Sequence, residues 1–181
     1  DLFLLHRPDY LFSAGEVAGT LKMLEESGKV RHFGVSNFRP SQLSLLQSFC
    51  PMPLLVNQVQ LNIDNMGAFS DGTLDQCQEL NISPMAWCPL GGVVYPAWGS
   101  TLTEEQSGRI QAELARQAEK YQTENWIVIL AWLLKHPAGI LPIVGSTQPS
   151  RIRAATKSLE LDYSAADWYR LLEVRNGEEV P

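Results

Sequence analysis

Gly28-Lys29-Val30-Arg31-His32-Phe33-Gly34-Val35-Ser36-Asn37 is the stretch on which the fold turns. Gly28 stands where an amphipathic run stops. Over residues 16–29, Val17, Leu21 and Leu24 recur at helical spacing, and glycine is the residue that best closes a helix in the left-handed region. The run that follows, 31–36, has the length of a strand. Pro40-Ser41 then opens a second helix with Leu43, Leu45 and Leu46 on its apolar side. Helix, strand and helix in so short a span are the local signature of a parallel sheet covered by helices.

The same rhythm extends in both directions. Upstream lies Leu2-Phe3-Leu4-Leu5, read as a buried strand and ended by Arg7-Pro8, since proline cannot donate to a ladder. Downstream, 53–59 is a third strand, 72–80 a helix and 82–87 a fourth strand. The irregular stretch from Pro89 to Thr103 is long for a connection in such a fold and is therefore expected to be functional. Two helices follow, 104–121 and 124–135, the second with Trp126, Ile129, Leu130 and Leu133 as its buried stripe. A last strand over 139–144 leads through Gly145-Ser146-Thr147 to a helix at 149–158. The final helix starts at Ser164, with Asp167 completing a capping box. No linker rich in glycine and serine interrupts 1–181, so a single structural unit is expected. Five parallel strands cannot close an eight-stranded barrel, which leaves an open sheet or part of a barrel.

Composition narrows the function. With 45% hydrophobic and 9% aromatic residues, the chain of 181 residues has the apolar material for a core. A formal charge of -6, from 20 acidic against 14 basic residues, offers nothing to a phosphate backbone or an anionic membrane surface. No apolar run approaches the roughly 18 residues needed to span a bilayer, and a soluble, cytoplasmic protein without nucleic-acid or membrane partners is expected. Cys50, Cys77 and Cys88 form no CxxC spacing, so reduced thiols are expected rather than disulfides or a metal site.

In parallel α/β folds, ligands are met at the carboxyl ends of the strands. Those ends present His6, then Ser36 with Asn37, then Gln58, then Trp87 with Cys88, then Gly145 and Ser146 with Thr147 and Arg151 following. A histidine there can donate a hydrogen bond to a carbonyl oxygen gaining negative charge, although a lone histidine is more often structural. Ser36, Asn37 and Gln58 are able to hold the carboxamide of a nicotinamide ring, although serine and asparagine also end strands for turn reasons alone. Trp87 offers a stacking face, or plain core. Cys88 has no histidine base near it in sequence and reads as a rim residue rather than a nucleophile. Ser146, Thr147 and Arg151 lie where a loop enters a helix, a setting for the ribose 2'-phosphate of NADPH; a capping serine beside a solvated arginine is the ordinary alternative. Gly91-Gly92 would let the backbone approach a pyrophosphate.

Taken in order, these motifs resemble the aldo-keto reductase family. Asp1-Leu-Phe-Leu-Leu-His6-Arg-Pro8 is similar to its fourth barrel strand, whose histidine sits in the oxyanion pocket, and the stretch from Gly28 to Phe38 resembles its fifth. Asn57-Gln58-Val59 is similar to the sixth, Trp87-Cys88-Pro89-Leu90-Gly91 to the seventh, and Pro142-Ile-Val-Gly145-Ser146-Thr147 with Arg151-Ile152-Arg153 to the eighth. The resemblance covers essentially the whole chain. The stretch from Trp87 to Gly92 and the ending Glu179-Val180-Pro181 are similar to a bacterial subgroup.

The resemblance implies a partial (β/α)8 TIM barrel that, as the intact enzyme, reduces aldehyde or ketone carbonyls by direct hydride transfer from NADPH, with NADH possible. It implies His6 as the catalytic residue of this portion, and Ser36, Asn37, Gln58, Trp87, Cys88, Leu90, Gly145, Ser146, Thr147 and Arg151 around the cofactor. Gly145 departs from the pattern, standing where many members have a lysine. The family's aspartate, proton-donating tyrosine and lysine belong to its first three strands. Because the chain opens inside a strand, it is expected to be the C-terminal portion of the barrel, inactive alone, with N-terminal strands absent. Unpaired strand edges would then favour self-association or pairing with the missing half. A non-enzymatic nucleotide-binding or structural half-barrel is the alternative reading, and a flavodoxin-like open sheet lacks the glycine-rich loop it would need after the first strand.

Overall fold

The computed structural model describes residues 1–180. In chain order its elements are β1 (Leu2–Leu5), α1 (Ala14–Glu26), β2 (His32–Ser36), α2 (Pro40–Phe49), β3 (Leu54–Gln60), α3 (Gly67–Ser70), α4 (Thr73–Leu80) and β4 (Ser83–Trp87). After a long irregular stretch come α5 (Glu104–Lys120), α6 (Asn125–Leu134), β5 (Leu141–Pro142), α7 (Pro149–Ala155), a 3-10 turn (Thr156–Leu159) and α8 (Ala165–Asn176). The five strands form one parallel sheet in the order β1-β2-β3-β4-β5 with helices flanking it, the α/β architecture the sequence predicts. The chain divides into two compact units, Asp1–Val59 with Gly67–Met85, and Gln60–Met66 with the chain from Ala86 on.

In the first unit, Phe33 and Val35 of β2 point toward the helices. They are buried with Leu21 of α1, Leu43 and Leu46 of α2, and Leu54 of β3. Each such side chain contributes about 1.5–3 kcal/mol when fully withdrawn from water. α1 begins at Ser13, whose side-chain oxygen accepts from the Glu16 N–H at 3.5 Å, and it ends with Gly28 at φ 69°. Two expectations change. Leu45 lies outside the buried stripe of α2, which takes Leu43 and Leu46 three positions apart. Leu2 and Phe3 are exposed rather than buried, because among the described residues β1 is an edge strand, paired in the sheet with β2.

The pairing of β2 with β3 contains one irregularity. Phe33 pairs with Leu54, yet Val35 pairs with Asn57 and Ser36 with Gln58, so β3 has gained one residue on β2. Side chains alternate faces along a strand, so this shift decides which residue of β3 lies beside Ser36. Gly34, between the two buried positions, faces away from the helices. A Cβ there would lie 2.7 Å from Leu4 Cδ2 and 2.7 Å from the Val56 carbonyl oxygen.

In the second unit, α6 is buried all round from Ile127 to Leu133, so it is an inner helix and not the striped surface helix expected. Trp132 stacks on Trp168 of α8 at 5.3 Å between ring centroids. Each indole N–H donates to the other residue's carbonyl, at 3.3 and 3.0 Å. The predicted strand at 139–144 shrinks to two residues. Pro142 has no N–H to donate, and the ladder resumes only where the Ile143 N–H reaches the Ala86 carbonyl at 2.9 Å.

Asp167 departs from the expected capping box. Ser164 does cap α8, its hydroxyl oxygen accepting from the Asp167 N–H at 3.1 Å. The carboxylate instead accepts from Arg116 at 3.0 Å, Tyr121 at 2.6 Å, the Ser164 hydroxyl at 2.7 Å and Lys120, while the Ser164 N–H donates to the Tyr121 hydroxyl. Burial pushes this carboxyl up, but the hydrogen bonds from Lys120, Tyr121, Ser164 and Arg116 outweigh it and hold it well below the usual carboxylate range. No helix of the described residues is long and apolar enough to cross a membrane.

Candidate functional site

The ends of β1, β2 and β3 bring four of the expected residues into one neighbourhood of the first unit. Leu5, the last residue of β1, pairs with Val35, and Ser36, the last of β2, pairs with Gln58. In parallel strands paired residues share a face. Ser36 and Gln58 therefore share the face opposite the helices, while Val35 and Asn57 face the helices, and His6 follows β1 at the same end of the sheet. His6 is exposed at this end.

Ser36 and Asn37 form a tight turn built on the Gln58 backbone. The Gln58 carbonyl accepts from the Ser36 hydroxyl at 2.8 Å and from the Asn37 N–H at 2.8 Å, and the Asn37 side-chain amide donates to Ser36 Oγ at 3.0 Å. Asn37 sits at φ 59°, a left-handed conformation that asparagine tolerates better than most residues. From beneath, the buried Asn57 side chain donates to the Phe38 carbonyl at 2.9 Å and fixes the chain as it leaves the turn. Ser36, itself buried, thus spends its proton on the backbone and acts by orienting Asn37. The Gln58 side-chain amide is half-buried and makes no hydrogen bond among the described residues.

The remaining expected residues lie in the second unit. Trp87 ends β4 half-buried, and Cys88 beyond it adopts φ 56°, a conformation that costs a non-glycine residue about 1 kcal/mol or more. Asn62, fully buried, holds that turn. Its side-chain amide donates to the Cys88 carbonyl at 3.0 Å, and its Oδ1 accepts from the N–H groups of Asp64 and Asn65 at 3.0 and 2.7 Å. Nothing in the sequence singled out Asn62, because a polar residue in a loop carries no periodic signal.

Leu90 opens a cavity of about 660 Å³ whose wall also takes in Tyr95, Glu124, Trp126, Ser146 and Arg151. Gly145 lines it too, and a Cβ on Gly145 would meet nothing within 4 Å. Thr147 is exposed in the adjoining loop. At seven residues α7 is too short to present a helix dipole of consequence, so what it brings to the wall is the side chains of Ser150 and Arg151, with Ser146 in the loop before it. Glu124 carries no reading in the sequence, and Trp126, expected in the buried stripe of the helix at 124–135, is half-buried and lines the cavity with it. They are joined across the wall, the indole N–H donating to Glu124 Oε2 at 2.7 Å. Tyr95 borders the same cavity, and burial, followed by the neighbouring Cys88 thiol, pushes its phenol above the usual range. At Gly91 a Cβ would lie 2.8 Å from the Asn62 amide nitrogen and 2.9 Å from Ala97 Cβ, so the absence of a side chain there serves the protein's own packing.

The arrangement provides two features in chemical terms, one in each unit: a turn presenting amide side chains near the end of β1, and a cavity of ligand size with one guanidinium and several hydroxyls. Comparison with known proteins gives these features a context. The model of the Aldo/keto reductase family matches residues 1–176. The chain is 43% identical to the oxidoreductase YdhF of Escherichia coli (strain K12) over all of its length and 59% of that protein's. It is 40% identical to a 6-dehydroglucose reductase of Agrobacterium fabrum, over 99% of this chain and 58% of that one. Among solved structures, the thermostable aldo-keto reductase Tm1743, crystallised with the inhibitor epalrestat, superposes with a TM-score of 0.84 at 25% identity, covering 96% of this chain and 59% of that one. The chain therefore spans about three fifths of the length of the relatives it matches, and its sheet is part of an α/β barrel.

Proposed function

Because the chain belongs to the aldo/keto reductase family, we propose that the protein carrying it is an NADPH-dependent reductase of aldehyde or ketone carbonyls, with NADH as a possible donor. When bound, a reduced nicotinamide supplies the hydride that a carbonyl carbon accepts. The observation that carries the reading is the turn at Ser36 and Asn37, locked onto the Gln58 backbone at the strand ends.

In this reading Asn37 and Gln58 hold the carboxamide, and Ser36 fixes the orientation of Asn37. Holding the ring by its amide exposes one ring face to the substrate. His6 donates a hydrogen bond to the carbonyl oxygen, which gains negative charge as the reaction proceeds; a preorganised donor of that kind lowers the barrier electrostatically. Leu90, Ser146, Thr147 and Arg151 hold the adenosine end, with the Arg151 guanidinium suited to a 2'-phosphate. The cavity fits such a group in size, and the open space at Gly145 leaves room beside Arg151.

The 40% identity with a protein named for reducing 6-dehydroglucose supports a carbonyl as the substrate class. The test is calorimetric titration of the full-length protein with NADPH and NADH, followed by aldehydes and ketones with absorbance read at the reduced nicotinamide band. Binding and turnover, with turnover reduced in His6→Ala, are expected. Absence of binding to either nucleotide would remove the reading, and binding without turnover on any carbonyl would return the non-enzymatic alternative.

A further inference from the structure

The cavity that takes the adenosine end in the proposed function carries two charged residues on its wall, and they are of opposite sign: Arg151 and Glu124. Among the described residues the Arg151 guanidinium has no carboxylate partner, so Glu124 does not neutralise it by pairing. Nor does Glu124 serve its own helix. It occupies the N-cap of α6, the position from which a side chain usually accepts from the first turn, yet it makes no such hydrogen bond. Its carboxylate is turned instead to the Trp126 indole, at 2.7 Å, and both side chains line the cavity. The cavity thus holds one fixed anion beside an aromatic plate. At Gly145 it has vacant space and no further cation.

Carboxylates and guanidiniums read the adenosine ribose in opposite ways. A carboxylate accepts a hydrogen bond from a free 2'-hydroxyl and repels a 2'-phosphate, whereas a guanidinium binds the phosphate. We propose that Glu124 is a specificity-determining residue of this cavity: its carboxylate offsets Arg151, so that the protein accepts the dinucleotide with or without a 2'-phosphate instead of selecting the phosphorylated form. The inference rests on the assignment of this cavity to the cofactor. Trp126, held by the same carboxylate, is the surface on which the adenine lies.

The experiment compares dissociation constants for NADPH and NADH, by calorimetry, in the full-length protein and in Glu124→Gln and Arg151→Met. Glutamine keeps an oxygen that can accept from the Trp126 indole, so the substitution removes the charge and leaves the plate in place. The native protein is expected to bind the two nucleotides within about tenfold of each other. Glu124→Gln is expected to move the ratio toward NADPH by about five- to tenfold, and the shift should shrink at high salt. Arg151→Met should move it the other way. A ratio unchanged in Glu124→Gln, or an equal loss of both nucleotides, overturns the proposal while an Arg151 effect preserves the cofactor assignment. Binding that ignores both substitutions, or no binding at all, overturns the cofactor assignment itself.

Discussion

Replacing Asp167 by asparagine puts the α5–α8 contact to a quantitative test. The carboxylate is buried and accepts from two cations, Arg116 and Lys120, and from the hydroxyls of Tyr121 and Ser164. Asparagine keeps the volume and one acceptor, but it turns half of that receptor into a donor facing donors. Removing one partner of a buried ionic network costs about 3–5 kcal/mol. Lys120 is half exposed and Arg116 keeps Glu113 at 2.7 Å, so the lower end applies, about 3 kcal/mol, or a fall in Tm of about 6–12 °C for a chain of this size. The pH dependence has a definite sign. The folded carboxyl titrates below its unfolded counterpart at about 3.9, so its stabilisation is complete above about pH 5 and drains away as the pH falls through the acid range. Urea unfolding of both proteins at pH 7 and at pH 3.5 should therefore show a gap that narrows in acid. A gap under about 1 kcal/mol at pH 7, or one as wide in acid as at neutrality, would refute the account of this network.

Three further outcomes follow from the geometry. Gly34→Ala should cost about 1–3 kcal/mol by denaturant unfolding, since its Cβ would press on Leu4 and on the rigid Val56 carbonyl. Gln58→Ala, assayed in the full-length protein, should weaken nicotinamide mononucleotide binding by about tenfold, the worth of one hydrogen bond, and leave adenosine 2',5'-bisphosphate binding unchanged by calorimetry. Thiol labelling at pH 8, mapped by mass spectrometry, should modify half-exposed Cys88 first; Cys50 and Cys77 are buried, and burial pushes the Cys77 thiol up to about 11, so both should react only on unfolding.

The order of strands and helices was legible because the period of the apolar residues changes from helix-like to strand-like at each boundary, as from Leu24 to Phe33. Strand ends were legible as well, since Ser36, Asn37, Gln58 and Trp87 interrupt apolar runs. The sequence was silent where a residue's role depends on partners distant along the chain. Asp167 looked like half of a capping box, but its carboxylate answers to Arg116 and Lys120 some fifty residues earlier. Trp126 looked like core because helical spacing groups it with Ile129 and Leu133; an inner helix has no outer face to betray the odd member, and Trp126 borders the cavity instead. Gly91 was legible as a flexible backbone position, but that Asn62 and Ala97 pack where its Cβ would stand was not. Glu124 gave no signal at all, being one more acid at a helix start.

The single residue that β3 gains on β2 makes Gln58, and not Asn57, the neighbour of Ser36. The site is consequently written in a reading frame. Regular pairing of the same residues without the bulge would set Asn57 beside Ser36 and turn Gln58 toward the helices, whereas removing Leu55 or Val56 would take out the bulge itself and leave Asn57 against Val35 and Gln58 against Ser36. An alanine scan would not reveal what Leu55 and Val56 contribute together, which is one residue more than β2 has between the same two pairs.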